Sequence, residues 1–268
     1  MHSESFATIA AVNANGAIVH YQPQKFSCAS LSCTSTSDNS NGAGGAEGGD
    51  MLLLDSGGQY KCGTTDVTRT VHTGPGPPTP WQREMFTRVL KGHIAFDSLV
   101  FPRSTPTAVL DAVARAPLWQ ARKDYSHSTG HGVGAALCVH EHPPFVGRSL
   151  SSTLTLCEGQ VLSNEPGYYE TGSFGVRIEN LLLVVPAGDE PTGPSGGAGE
   201  EAGSEFLRFH TLTMVPIQKK LVDVDMLSPA EVQWLDDYHR SVRLSIMPVM
   251  RTERGRAWLR DATEPING

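Results

Sequence analysis

The chain has 268 residues, 39% apolar and 18% charged, with a formal net charge of −7 from 21 basic and 28 acidic side chains. That length supports a sizeable core, in one large domain or two smaller ones, and the composition excludes wholesale disorder. No basic block marks a nucleic-acid surface, a purely apolar run such as Leu181–Val185 is far too short to span a bilayer, and the first twenty residues lack the basic start and apolar core of a signal peptide.

In chain order, Ala17–Tyr21 has the β-branched and aromatic character of a strand. Residues 27–50 turn to Ser, Gly, Asn and Ala, which predicts a flexible surface insertion, because little burial offsets the ordering entropy. Cys28 and Cys33 lie there. With Cys62, Cys138 and Cys157 they form an odd set without metal-knuckle spacing, so they read as reduced thiols of a cytosolic protein. Met51–Asp55 and Tyr60–Val71 read as the strands of one hairpin. A helix is predicted from Thr79-Pro80, with proline at its first position and Trp81, Met85, Val89 and Phe96 on its apolar face, widened by Phe86 and Leu90. A second covers Ala108–Ala116, with Val109, Leu110 and Val113 on one side. Val161–Glu165 and Gly175–Val185 form another hairpin, residues 187–205 form a second flexible insertion, and Phe206–Pro216 is a further strand. The last helix is the best marked. Ser228 caps it, Pro229 opens it, Glu231 completes a capping box, and Val232, Leu235, Val242 and Ile246 follow at helical spacing. Helices set apart from hairpins predict an α+β layer architecture.

The hairpins carry the chemistry. Asp55 ends the run Met51–Leu54, Asp66 follows within Gly63–Thr70, Glu165 lies in Ser163–Tyr169 and Glu179 in Gly175–Asn180. Singly, each acid has a plain structural reading: a strand-end turn, a pair with Arg69, a terminus before Pro166, a pair with Arg177. Four such acids would not be expected to fall as two hairpin pairs flanking Gly130-His131-Gly132-Val133-Gly134, whose glycines let the backbone approach a ligand closely. Carboxylates at apolar strand ends must be neutralised or paired. Four of them with one imidazole suit two hydrolytic divalent cations that share bridging carboxylates. His127 and His140 flank His131 and strengthen that reading. The spacing of His127 and His131 lacks the glutamate of the helical zinc-protease motif, and the glycines argue against a helix, so that class is excluded.

The segments Asp55–Tyr60, Gly63–Thr70, Gly130–Gly134, Val139–Glu141, Asn164–Tyr169 and Gly175–Asn180 resemble the pita-bread metallopeptidases. Together with Gly16–Tyr21, Val89–Ala95, Thr213–Gln218 and Trp234-Leu235, they are most similar to the cytosolic aminopeptidase P (Xaa-Pro aminopeptidase) subgroup. The resemblance spans nearly the whole chain outside the two insertions. It implies the pita-bread (creatinase/aminopeptidase) fold, a curved antiparallel sheet covered by helices, with residues 1–268 as one catalytic domain.

It further implies a cytoplasmic aminopeptidase that releases the N-terminal residue from peptides with proline second. The metal ligands would be Asp55, Asp66, His131, Glu165 and Glu179, holding two Mn²⁺-like ions, with Co²⁺ or Zn²⁺ also suiting the donor set. Asp66 and Glu179 would bridge, Asp55 would serve one ion, and His131 with Glu165 the other. His127 and His140 match substrate-binding and transition-state histidines, and His20 a further active-site histidine. Trp119, Tyr169 and Arg177 match positions that line the pocket or support the bridging glutamate. The partners would be proline-containing peptides, without nucleic acid or membrane, and the family pattern admits a homodimer. The other histidines, His142 included, read as structural, although His142-Pro143-Pro144 departs from the family's usual glycine and single proline.

Two alternatives stand beside this reading: a prolidase-type dipeptidase, and a non-catalytic peptide-binding module. The family's catalytic domain also starts upstream of the position of Met1, after two further domains. Residues 1–268 alone are therefore expected to leave a sheet face open, to self-associate and to be weakly active.

Overall fold

The computed structural model describes residues 1–23, 49–149, 153–188 and 205–266. In chain order the strands are β1 (Ser3–Glu4), β2 (Ile9–Val12), β3 (Met51–Ser56), β4 (Gly58–Tyr60), β5 (Gly63–Thr64) and β6 (Val67–His72). Helix α1 (Pro80–Asp97), strand β7 (Val100–Pro102) and helix α2 (Thr107–Trp119) follow. Next come β8 (Gly130–Gly132), β9 (Glu141–Val146), β10 (Val161–Asn164), β11 (Gly167–Glu170), β12 (Phe174–Arg177), β13 (Asn180–Pro186) and β14 (Phe206–Thr211), then α3 (Pro229–Ile246) and α4 (Glu253–Ala262).

The strands pair antiparallel throughout, in a six-stranded sheet ordered β7-β14-β13-β10-β8-β9, three-stranded sheets β2-β3-β6 and β1-β4-β5, and the hairpin β11-β12. Both predicted hairpins form, each with a shorter excursion at its tip. β3 faces β6 with Asp55 opposite Thr68, and β10 faces β13 with Asn164 opposite Asn180. Helices α1 and α3 bury Met85, Phe86, Val89, Leu90, Leu235 and Val242 against Tyr168, Phe174, Val176 and Ile178. A second cluster packs Phe96, Phe101, Leu110 and Ala114 onto Leu162, Leu182, Val184, Leu207 and Phe209.

Helix starts follow their sequence signals. Thr79 and Ser228 both form capping boxes, with Gln82 and Glu231, ahead of a first-turn proline. Five expectations are corrected. Ala17–Tyr21 is not a strand: Asn13–Ala17 forms a short 3₁₀ turn, with Asn13 left-handed (φ 48°) and its side chain bonded to Asp50 and to the Met51 N–H. The Asn-rich turn chemistry outweighs Ile18 and Val19. Its backbone then meets β12 so closely that a Cβ on Gly175 would stand 1.8 Å from the Gly16 carbonyl oxygen.

The buried face of α2 is Leu110, Asp111, Ala114, Arg115 and Leu118, whereas Val109 is exposed and Val113 only partly buried. Residues 60–71 divide into three strands, the predicted strand Gly175–Val185 is split between β12 and β13, and β14 ends at Thr211. Helix α4 was not anticipated, because among its residues only Leu259 is buried and its sequence offers no broad apolar face. Most of both predicted insertions lies outside the described residues, as do Cys28 and Cys33; Cys62, Cys138 and Cys157 are exposed thiols.

Candidate metal centre

Strand alternation delivers the first carboxylate. On β3, Met51, Leu53 and Asp55 point to the buried face while Leu54 is 40% exposed. Asp66 stands just before β6, Glu165 just after β10, and Glu179 just before β13, so all four acids gather at the ends of the two long hairpins. His131 is the middle residue of β8, pressed between β10 and β9. A Cβ on Gly130 would lie 2.0 Å from the Ser163 carbonyl, and one on Gly132 2.3 Å from that of Glu141. Only glycine permits that approach.

The side chains converge. His131 Nε2 lies 3.4 Å from Glu165 Oε1 and 3.6 Å from Asp66 Oδ2, and ligand atoms of Asp66, His131 and Glu179 all fall within 4.8 Å of one another. Asp55 Oδ2 accepts from Arg177 at 2.7 Å, while its Oδ1 is buried with no hydrogen-bond partner among the described residues. All five line a cavity of about 480 Å³, together with His20, His127, His140, His142, Phe145 and Arg177.

Burial and mutual repulsion raise the proton affinity of Asp66, Glu165 and Glu179. Asp66 is pushed up to about 8 by burial, Asp55 and Glu165, and Glu165 to about 7 by burial and Asp55. Glu179 is raised well above the ordinary carboxylate range by burial, Asp66, Glu165 and Asp55. Burial holds His131 down at about 4. Its Nδ1 faces the Gly132 carbonyl at 3.0 Å and must donate there, so the neutral ring turns an unprotonated Nε2 towards the carboxylates. Crowded acids, an unpartnered carboxylate oxygen and a lone pair aimed inward fit divalent cations.

The remaining predicted residues divide. His20 and His140 lie on the cavity wall, and the His140 ring meets His131 edge-on at 4.3 Å between centroids. His127 Nδ1–H donates to the Ser128 carbonyl (2.7 Å) and its Nε2 accepts from the Tyr169 hydroxyl (2.8 Å), so both nitrogens are engaged. Tyr169 in turn accepts from Arg177 at 3.0 Å. Arg177 supports Asp55 directly and reaches Glu179 only through Thr68. Trp119 is not brought to this cavity: Leu118 takes the buried position at the end of α2, and Trp119, one residue further round, is 46% exposed.

His142, read as structural, instead stands on the cavity wall beside Phe145. Sequence pattern alone does not single out Thr68 and Ser163, although each lies two residues from one of the predicted acids at a strand end. Arg69 does not pair with Asp66. It is buried and donates to the carbonyls of Thr68, Glu179, Val215 and Pro216, to Asn180 and to Tyr238.

The sequence pattern of metallopeptidase family M24 matches residues 1–186, and that of the C-terminal region of these peptidases matches residues 205–266. The chain belongs to metallopeptidase family M24. It is 45% identical over 262 residues to Aminopeptidase P2 of Arabidopsis thaliana, covering 98% of this chain and 33% of that protein. X-prolyl aminopeptidase from Caenorhabditis elegans, described as a cytosolic enzyme with a di-nuclear active site, shares 36% identity at a TM-score of 0.80. The match covers 98% of this chain and 39% of that one. Recombinant prolidase from Thermococcus sibiricus shares 30% identity at a TM-score of 0.53, over 67% of this chain and 42% of that one. The fold is thus the pita-bread fold of the M24 peptidases. The chain spans a third or somewhat more of the length of the curated relatives it matches.

Proposed function

We propose that this M24 chain carries the catalytic centre of a dinuclear metal-dependent aminopeptidase that removes the N-terminal residue from peptides with proline second. The observation that carries the reading is the convergence of Asp55, Asp66, His131, Glu165 and Glu179 on one cavity. Aminopeptidase relatives that match 98% of the chain support the substrate class. Asp66 and Glu179 would be shared by both ions, Asp55 would hold one, and His131 with Glu165 the other. Manganese suits this oxygen-rich donor set, as do cobalt and zinc. When bound, two such cations make a water nucleophilic near neutral pH and polarise the peptide carbonyl.

The chain's own groups do the rest. Arg177 holds Asp55 in place and, through Tyr169, the ring of His127. His140 has its ring on the cavity wall and would donate to a carbonyl oxygen as that oxygen gains charge. A cytoplasmic location and a homodimer belong to the same proposal.

Prolidase-type action is the second reading, favoured by the prolidase likeness. Both are tested by assaying metal-reconstituted protein on Arg-Pro-Pro and on Gly-Pro. The aminopeptidase reading expects release of arginine from the tripeptide and little turnover of the dipeptide. Faster cleavage of Gly-Pro favours prolidase action. Absence of bound metal and of turnover on either substrate leaves a peptide-binding module.

A further inference from the structure

Two buried hydroxyls stand directly behind the ligand side chains, and they have no partner in common. Ser163, fully buried on β10, accepts the His131 backbone N–H at 3.0 Å and lies 3.1 Å from Glu165 Oε1. A serine hydroxyl has one proton, and a peptide N–H can only donate to it, so the proton is aimed at Glu165. One oxygen thus ties the strand that presents His131 to the carboxylate 3.4 Å from that imidazole.

Thr68, fully buried on β6, repeats the arrangement on the other side of the centre. Its Oγ1 accepts from Arg177 Nε at 3.0 Å and donates to Glu179 Oε2 at 2.6 Å. A guanidinium cannot accept, so the direction is again fixed. Arg177 passes from Thr68 to Asp55 at 2.7 Å, which makes Thr68 the joint between the acids of the two hairpins.

We infer that Ser163 and Thr68 are positioning residues with separable duties, Ser163 governing the ion held by His131 and Glu165, and Thr68, through the shared Glu179, governing both ions. This rests on the division of ligands proposed above. Outer hydrogen-bond partners of this kind fix ligand orientation, and losing one weakens metal affinity without removing a ligand.

The test is calorimetric titration of Mn²⁺ alone into metal-free wild-type protein, Ser163→Ala, Ser163→Thr and Thr68→Val, with thermal unfolding of each metal-free form as the folding control. Wild type should take two ions per chain. Ser163→Ala should raise one dissociation constant by roughly 10–100-fold and leave the other within about threefold, whereas Thr68→Val should raise both by roughly 10–100-fold. Ser163→Thr keeps the hydroxyl and should keep both constants. Ser163→Cys, nearly isosteric but a weak donor, should show the same one-sided loss and serves if the alanine variant does not fold. A purely structural hydroxyl would lower the unfolding temperature of the metal-free form and leave the two constants unsplit. Equal weakening of both ions in Ser163→Ala, or unchanged binding in Ser163→Ala and Thr68→Val, overturns the inference while two-ion uptake by wild type leaves the ligand reading standing. Uptake of fewer than two ions by wild type overturns both.

Discussion

Asp66→Asn is the sharpest single-residue probe of the centre. The amide keeps the size of the carboxylate but loses its charge and cannot bridge two cations equivalently. We expect it to abolish peptide hydrolysis and to remove at least one ion per chain by elemental analysis; two ions with full activity would refute the assignment. Proton affinities at the same site set the pH behaviour. In metal-free protein, Asp66, Glu165 and Glu179 bind protons more tightly than their ordinary 3.8 and 4.5. The stabilisation from Asp66 and Glu165 is therefore complete below those values and is lost as pH rises through about 7 to 8, and Glu179 acts in the same direction. Buried His93, His131 and His239 and half-buried His127, lowered to between about 3 and 4, act oppositely: their contribution is complete above 6.5 and is lost as pH falls towards those values. Thermal unfolding of metal-free protein should be highest near about pH 5–6, and loading with Mn²⁺ should move that maximum upward, because cations replace the protons. An unmoved maximum would contradict cation binding at these acids.

The proposed ligand acids were legible from sequence because carboxylates at the ends of apolar strands break the apolar pattern. Thr68 and Ser163 were not, since hydroxyls are ordinary strand residues and only their distant partners give them meaning.

At the level of elements, caps and prolines announced α1 and α3 correctly because those signals act within four residues. Helix α2 was misread for the converse reason. Its core face contains Arg115, fully buried and held by Asp111 through two hydrogen bonds (2.7 and 3.0 Å), by Asp124, and by the carbonyls of Tyr125 and His127. An apolar-periodicity argument assigns such a residue to the surface. Thr129 also donates to Asp111 at 2.6 Å, so this pair grips the segment leading from His127 into β8. Replacing Arg115 by alanine leaves Asp111 buried without its counter-charge. We expect a loss of about 3–5 kcal/mol in denaturant unfolding. A loss below about 1 kcal/mol, the scale of an exposed pair, would show that water reaches Asp111.

Across the whole molecule, the pairing of strands within each hairpin could be anticipated, but their meeting could not. The two hairpins are joined by the Glu179 N–H donating to the Thr68 carbonyl at 3.1 Å, and by Arg69, which binds both strands, the segment through Pro216 and Tyr238 of α3. No carboxylate pairs with Arg69 among the ion pairs of the described residues, so its charge is held by carbonyl dipoles, an arrangement that no local pattern encodes.

The hydrogen bond from Thr68 to Glu179 spans 111 residues of chain, and that distance has a kinetic consequence. A contact so remote along the sequence is reached only after a large loop has closed, late in folding, when the chain has already lost most of its freedom. Cations that need both hairpins would then have no seat in the folding transition state and would act on the finished protein alone. Chelation should leave the refolding rate nearly unchanged and should speed unfolding, so that stopped-flow traces with and without Mn²⁺ differ only in the unfolding arm. If the refolding arm accelerates with Mn²⁺ instead, the hairpins dock early and the metal helps to assemble them.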